Sequence, residues 1–337
     1  MYKKINIYIH PGYGKSGTTY LQESIFDKIN FVNLGKPHNH KNELINKLIL
    51  LQYKIFQPKY SFQKLYPMNY SYSVRNYVSI LKSIIDKTDN TNFMFSDECL
   101  FDLNNYFGYF NIYLLKEILD SLNNYFDINI KFIVSIRSQH QYLISSFAYN
   151  NYRMKKNFGS FNNFLDKIFS DEDLSEIYQY DLQIKKIKKI FNSEVLILPL
   201  EELEKNHENY INRVINFLGI GKGGGVELNT FNNNPINKNS ELVNNNKVYY
   251  TRSYDFRGDL YEHFSNIHLS LKKYKLYQKN FKYLKFLKEL IKPDIKKSGK
   301  ILLNENQKRK IQQHFKQSNQ NTEKITNLNL KFYDYYD

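Results

Sequence analysis

One stretch near the N-terminus constrains the chain more than any other. An apolar, β-branched run over residues 5–9 meets His-Pro-Gly-Tyr-Gly-Lys-Ser-Gly-Thr-Thr at residues 10–19, and residues 18–29 then carry a helical pattern. A strand, a glycine-containing turn and a helix N-terminus aim several backbone N–H groups at one point, where the helix dipole also favours negative charge. A phosphate group fits such a point. Lys15 adds a full positive charge, and Ser16, Thr18 and Thr19 add hydroxyl donors. The competing reading is an ordinary glycine turn capped by Ser or Thr; the preceding strand, the lysine and the threonine pair favour the anion site.

The rest of the chain supplies a frame for such a loop. Short apolar runs at 31–34, 93–95, 131–136 and 194–198 predict four further buried strands. Helical periodicity at 43–53, 74–87, 112–124, 141–153 and 181–191 separates them, so strand and helix alternate. That alternation predicts an α/β, P-loop-like three-layer fold, with a central parallel sheet of about five strands flanked by helices. A helix over 210–218 stops at Gly219, residues 221–246 are rich in Gly and Asn and predict a long loop, and the remainder reads as helical. Phe281, Leu284, Leu287 and Ile291 share one helical face, and residues 305–319 predict a last amphipathic helix. With no internal repeat and no clear linker, one domain over 1–337 is expected, with an α/β core at 1–220 and a loop and helical C-terminal extension at 221–337.

Charge and cysteine content narrow the classes. The formal charge is +15, from 48 basic and 33 acidic residues, and Lys272–Lys300 alone holds eleven lysines against Glu289 and Asp294. A surplus of that size points to an anionic partner. The abundance of Asn, Lys, Ile and Tyr with no Trp is also what an AT-rich genome produces, so part of the excess is compositional. The single cysteine, Cys99, excludes an internal disulfide and a multi-cysteine zinc site. No apolar run is long enough to span a bilayer, and the first one, stopped by His10 and Pro11, is shorter than a signal peptide requires. A cytoplasmic location is expected, with peripheral contact at the inner face of the membrane through the basic segment as an extension of it.

The phosphate loop admits two families. Gly14-Lys15-Ser16 matches the end of the nucleoside-triphosphatase pattern G-x-x-x-x-G-K-[ST], although its opening glycine falls on Ile9, and Ser96-Asp97-Glu98 after the 93–95 strand could serve as a magnesium-binding strand end. This leaves a magnesium-dependent kinase or nucleoside triphosphatase as one alternative. The whole segment 10–22, however, resembles the 5′-phosphosulfate loop of sulfotransferases that use 3′-phosphoadenosine 5′-phosphosulfate (PAPS), close to H-x-G-x-x-K-[TS]-G-T-T-x-L-Q. His10, Gly12, Lys15, Ser16, Gly17, Thr18, Thr19, Leu21 and Gln22 all match. That family's second element is a strand, an Arg and, eight residues on, a Ser at the start of a helix; here the 131–136 strand leads into Arg137, with Ser145 eight residues later. The sequence around Gln139 is similar to bacterial members. Asn216-Phe217-Leu218-Gly219-Ile220 is similar to the family's Phe-Leu-Gly-Ile helix end, and 303–336 to its closing helix, whereas the Arg-Lys-Gly-x-x-Gly loop of animal members is not evident.

The resemblance implies transfer of a sulfuryl group from PAPS to an acceptor hydroxyl or amine, releasing 3′-phosphoadenosine 5′-phosphate, without a metal. It implies that Gly12, Lys15, Ser16, Gly17, Thr18 and Thr19 hold the 5′ side of the cofactor and that Arg137 and Ser145 hold its 3′-phosphate. Lys15 then also stabilises charge on the leaving phosphate oxygen. A general base is needed for the acceptor. Glu98 is the first candidate, by its similarity to the family's Ser-x-Glu at this strand end, with Asp97, His38 and His40 as alternatives, while His10 fits a structural or cofactor role better than that of a base. The expected acceptor is a sugar or glycan precursor, and no nucleic acid partner is expected. Aromatic residues between the second and third strands, Tyr53 to Tyr77, could line an acceptor cleft or simply pack in the core. A non-catalytic polyanion-binding protein is the third reading; it would need the basic segment but not Lys15.

Overall fold

In the computed structural model, which describes residues 2–35, 70–96, 112–149, 151–220, 240–243, 246–253 and 296–337, the first apolar run becomes strand β1 (Lys3–His10), at the centre of a sheet. The flanking strands are β3 (Asn92–Ser96) on one side and β4 (Phe126–Ile136) on the other, with β2 (Val32–Asn33) outside β3 and β5 (Glu194–Pro199) outside β4. All neighbours pair in parallel, in the order β2-β3-β1-β4-β5. Register sets His10 beside Ser96, so the carboxyl ends of β1 and β3 finish level. Because the chain fills one side of β1 before crossing to the other, the switch in strand order falls at β1, the position where open α/β sheets bind ligands beyond their carboxyl edge.

Both faces of this sheet are covered. Tyr8, Met94, Ile133 and Leu198, one from each of four strands, cluster with Leu21, Ile25 and Phe26 and with Tyr210, Val214 and Leu218. Those residues come from α1 (Thr18–Leu21) with the π-helical turn that continues it (Gln22–Phe26), and from α10 (His207–Leu218). Alternation along the strands sends neighbouring residues to the opposite face. There Phe132 meets Phe191 with ring centroids 4.9 Å apart. Phe191 ends α8 (Tyr180–Phe191), which packs on β5 and on α3 (Ile112–Asn123), itself in contact with β4 and with α2 (Tyr70–Asp86). The three-layer α/β arrangement expected from the sequence is therefore present.

The chain divides into two compact units: 1–143, 167–237 and 304–337 in one, 144–166 and 238–303 in the other. The first holds the five-stranded sheet together with α7 (Glu172–Ile177), α9 (Leu200–Lys205) and α11 (Glu305–Thr326). The end of α4 (Gln139–Tyr149), α5 (Asn151–Phe158) and the start of α6 (Phe161–Ser170) belong to the second, where Phe147, Phe158 and Phe161 surround Phe164. That unit also contains an antiparallel sheet of β6 (Ser240–Val243), β7 (Asn246–Ser253) and β8 (Lys296–Ile301), with α5 against β7.

These strands correct the reading of the C-terminal third as loop and helix, although the last helix is present and longer than expected. Two other helices differ from expectation. The one predicted over 18–29 becomes an α-turn and a π-turn that end at Phe26, and the one predicted over 141–153 is divided into α4 and α5. The predicted helices at 43–53 and 281–291 lie outside the described residues.

Candidate active site

Three left-handed backbone positions shape the loop between β1 and α1: Gly12 at φ 33°, Lys15 at φ 69° and Gly17 at φ 84°. Gly12 has no room for a side chain, since a Cβ there would stand 2.3 Å from Thr18 Cγ2 and 3.3 Å from His10 Nε2. Gly17 is similarly restricted, with Leu200 Cδ1 at 2.8 Å. Lys15 and Gly17 bracket Ser16, which is not left-handed. Such alternation turns successive N–H groups towards a common side and forms an anion-binding concavity. Lys15 and Gly17 are half-buried and Thr19 is exposed. Ser16 is instead turned inward: its N–H donates to the Tyr13 carbonyl at 3.2 Å, and its hydroxyl donates to the same oxygen.

Below the loop, His10 is fully buried between two strands. Its Nδ1 shares a hydrogen bond with Ser96 Oγ at 2.8 Å and its Nε2 one with Ser135 Oγ at 3.1 Å, while Gln22 Nε2 donates to Ser96 Oγ at 3.1 Å. Burial alone pushes its pKa down to about 3, so the ring is neutral near pH 7. His10 thus ties β1, β3 and β4 together under the loop, a structural role in this arrangement.

Arg137 follows β4 directly and is 1% exposed. One terminal nitrogen donates to the Lys15 carbonyl at 3.1 Å and the other to Gln141 Oε1 at 3.2 Å. The two anion-binding elements read from the sequence therefore meet, side chain to main chain, at Lys15. The backbone around Arg137 is held by residues that sequence reasoning did not single out. Tyr180 donates its hydroxyl to the Arg137 carbonyl at 2.5 Å, and the Ser138 N–H donates to Glu201 Oε1 at 2.9 Å. Burial raises the Glu201 pKa, against the pull of the Ser138 N–H, the Arg137 charge and the Tyr335 hydroxyl. The available signal for Glu201 was an acidic turn after the β5 strand; its pairing with residue 138 has no local signature.

Ser145 lies on α4 in the second unit, half-buried. Tyr77, from the aromatic stretch considered for an acceptor cleft, is 2% exposed on α2 and packs in the core. Glu98, Asp97, His38 and His40 lie outside the described residues, as do residues 272–295 of the basic segment. Among the described residues no His, Cys, Asp and Glu cluster could hold a metal ion, and no helix is long and apolar enough to cross a membrane.

A parallel α/β sheet whose central strand runs into a lysine-bearing, left-handed loop defines an α/β fold of the P-loop-like class. Within it, the sulfotransferase-domain family matches residues 9–252, from the end of β1 to β7, and the chain belongs to that family. Transferase chemistry on sulfuryl groups follows from that membership. Among solved structures, the sulfotransferase domain of the Synechococcus PCC 7002 olefin synthase is similar at 13% identity, over 70% of this chain and 81% of that one, with a TM-score of 0.37. No curated protein sequence matches the chain.

Proposed function

We propose that this sulfotransferase takes its sulfuryl group from PAPS and passes it to a hydroxyl, or an amine, of a sugar or glycan precursor. The observation that carries the reading is the junction at Lys15, a left-handed residue of the phosphate loop whose carbonyl accepts a hydrogen bond from Arg137. That junction couples a site for a 5′-phosphosulfate to a guanidinium suited to a second phosphate, the two anionic ends that distinguish PAPS from simpler nucleotides. The cofactor supplies an activated sulfuryl group on a phosphate leaving group. Lys15, with the loop amides and Thr18 and Thr19, stabilises negative charge at the bridging oxygen as the sulfur–oxygen bond to the phosphate breaks. Gly12 and Gly17 let the backbone close on that group, and Ser16 holds the turn through Tyr13. Arg137 and Ser145 are assigned to the 3′-phosphate.

Glu98, two residues beyond the end of β3, is assigned as the base that takes the acceptor proton while the acceptor oxygen bonds to sulfur. Asp97, His38 and His40 are the alternatives to it. No residue is assigned to a metal. The inward hydroxyl of Ser16 argues against the magnesium-dependent kinase, which needs that group on the metal. We place the protein in the cytoplasm, with the Lys272–Lys300 segment meeting acidic glycan or anionic lipid.

Titration calorimetry tests the reading, with 3′-phosphoadenosine 5′-phosphate and, separately, ATP with magnesium. Metal-independent binding of the bisphosphate, weakened at least tenfold by Lys15→Ala and by Arg137→Ala, is the expected result. Selective binding of ATP with magnesium would overturn the reading in favour of the kinase. Binding of neither nucleotide would leave polyanion binding in its place.

A further inference from the structure

The four residues that follow β4 are fastened one after another. The Arg137 carbonyl accepts from the Tyr180 hydroxyl at 2.5 Å, and the Ser138 N–H donates to Glu201 Oε1 at 2.9 Å. The Gln139 and Asn319 side-chain amides bond reciprocally, at 2.9 and 3.0 Å. His140 Nε2 stands 3.5 Å from Asp334 Oδ2. The groups that do the fastening are themselves joined through the C-terminal segment. Tyr335 donates its hydroxyl to the other Glu201 oxygen at 3.0 Å, Asn319 Nδ2 donates to the Tyr335 carbonyl at 3.2 Å, and Gln312 Nε2 donates to the Asp334 carbonyl at 3.1 Å.

Burial makes this arrangement informative. Glu201, Asn319, Tyr335 and Tyr180 are each no more than 4% exposed. A C-terminal segment that only needed to pack on α8 has apolar residues for that purpose in Ile311, Phe315 and Leu330, all fully buried. Burying a carboxyl and two amides adds desolvation cost and yields a directional network, which fixes geometry more than it adds stability. Both Glu201 oxygens are engaged, one on the backbone next to Arg137 and one on the tail, so one side chain joins the tail to the residue after Arg137, beside the Asn319–Gln139 and Asp334–His140 contacts.

We propose that Glu201, Tyr335 and Asn319 are positioning residues: a C-terminal clamp that sets the Arg137 guanidinium for the 3′-phosphate of the cofactor. This rests on the assignment of Arg137 to that phosphate given above. The bonds of the clamp run to Ser138 and Gln139, beside Arg137, so disturbing it is expected to change recognition of the 3′-phosphate more than that of the 5′ side, which Arg137 meets at the Lys15 carbonyl.

The test compares affinities for 3′-phosphoadenosine 5′-phosphate and for adenosine 5′-phosphate, which lacks the 3′-phosphate, in full-length wild type, Tyr335→Phe, Tyr180→Phe, Glu201→Gln and Arg137→Ala, with a urea unfolding curve for each. Tyr335→Phe keeps the ring and removes only the hydroxyl on Glu201. It is expected to weaken the bisphosphate at least tenfold while the monophosphate changes less than twofold. Tyr180→Phe, which removes the hydroxyl on the Arg137 carbonyl, gives the same selective loss and decides the matter if Tyr335→Phe does not fold. Glu201→Gln keeps an acceptor for the Ser138 N–H and retains most of the selectivity. Folded Tyr335→Phe and Tyr180→Phe proteins that keep the wild-type ratio of affinities, or lose both ligands equally, overturn the clamp. If wild type does not prefer the bisphosphate, or Arg137→Ala retains that preference, the assignment of Arg137 fails first and the clamp falls with it.

Discussion

A neutral imidazole with no exposed surface, held between the Ser96 and Ser135 hydroxyls, resists protonation, and His10 therefore links folding to pH. Its folded pKa lies near 3 against 6.5 for a free histidine, so between those values the unfolded chain binds the extra proton and stability falls as the pH falls. Going from pH 7 to pH 5, this one group is expected to remove on the order of 2 kcal/mol of unfolding free energy. Urea midpoints at the two pH values check this, with His10→Asn expected to flatten the difference. At Lys15, replacement by alanine is expected to lower turnover by about 10²–10³-fold, the usual cost of one lost donor at a developing oxyanion. Steady-state kinetics with PAPS and a sugar acceptor would measure it. Gly12→Ala is expected to abolish cofactor binding, because its Cβ would collide with Thr18 at 2.3 Å; calorimetry gives the readout. His10, Gly12, Lys15 and Arg137 were legible because the loop and the strand-Arg pattern are contiguous in sequence. Glu201, Tyr180, Asn319 and Tyr335 were not, since each owes its place to a partner at least 40 residues away.

Helices and strands of the α/β core were legible for a related reason: each buries one apolar stripe or a short apolar run, and period alone reveals it. α11 carries a further local signal. The Asn304 side chain accepts from the Gln307 N–H at 2.8 Å and the Gln307 side chain accepts from the Asn304 N–H at 3.0 Å, a complete capping box. Asn304→Ala is expected to cost about 1 kcal/mol, measured by chemical denaturation. The second sheet was not legible. β8 reads Lys-Lys-Ser-Gly-Lys-Ile, a composition that also suits a solvated helix face, and it becomes a strand by pairing antiparallel with β7, from Ser253 opposite Lys296 to Tyr249 opposite Ile301. A partner more than 40 residues away leaves no trace in local periodicity. The π-turn after α1 escaped notice too, because one residue of extra winding does not disturb an apolar stripe within so short a stretch.

At the scale of the whole molecule, the sheet order ties the site to distant parts of the chain. β1 leads into the 11–17 loop, β4 leads into Arg137, and Tyr335 reaches Glu201 beside it, so the candidate site draws on three distant parts of the chain. The centrality of β1 also has a kinetic consequence. Its neighbours begin at Asn92 and Phe126, so during synthesis at about 5–20 residues per second the apolar strand waits several seconds with both edges unpaired. An unpaired apolar strand is a template for association with other chains. Pulse-labelled hydrogen exchange during refolding is expected to show the amides of Ile7 and Ile9 gaining protection in the same slow phase as those of Phe132 and Val134, rather than with the local helices. The strand made first is completed late, so the yield of folded protein will depend on how fast the next hundred or so residues are delivered and on whether a chaperone shields β1 meanwhile.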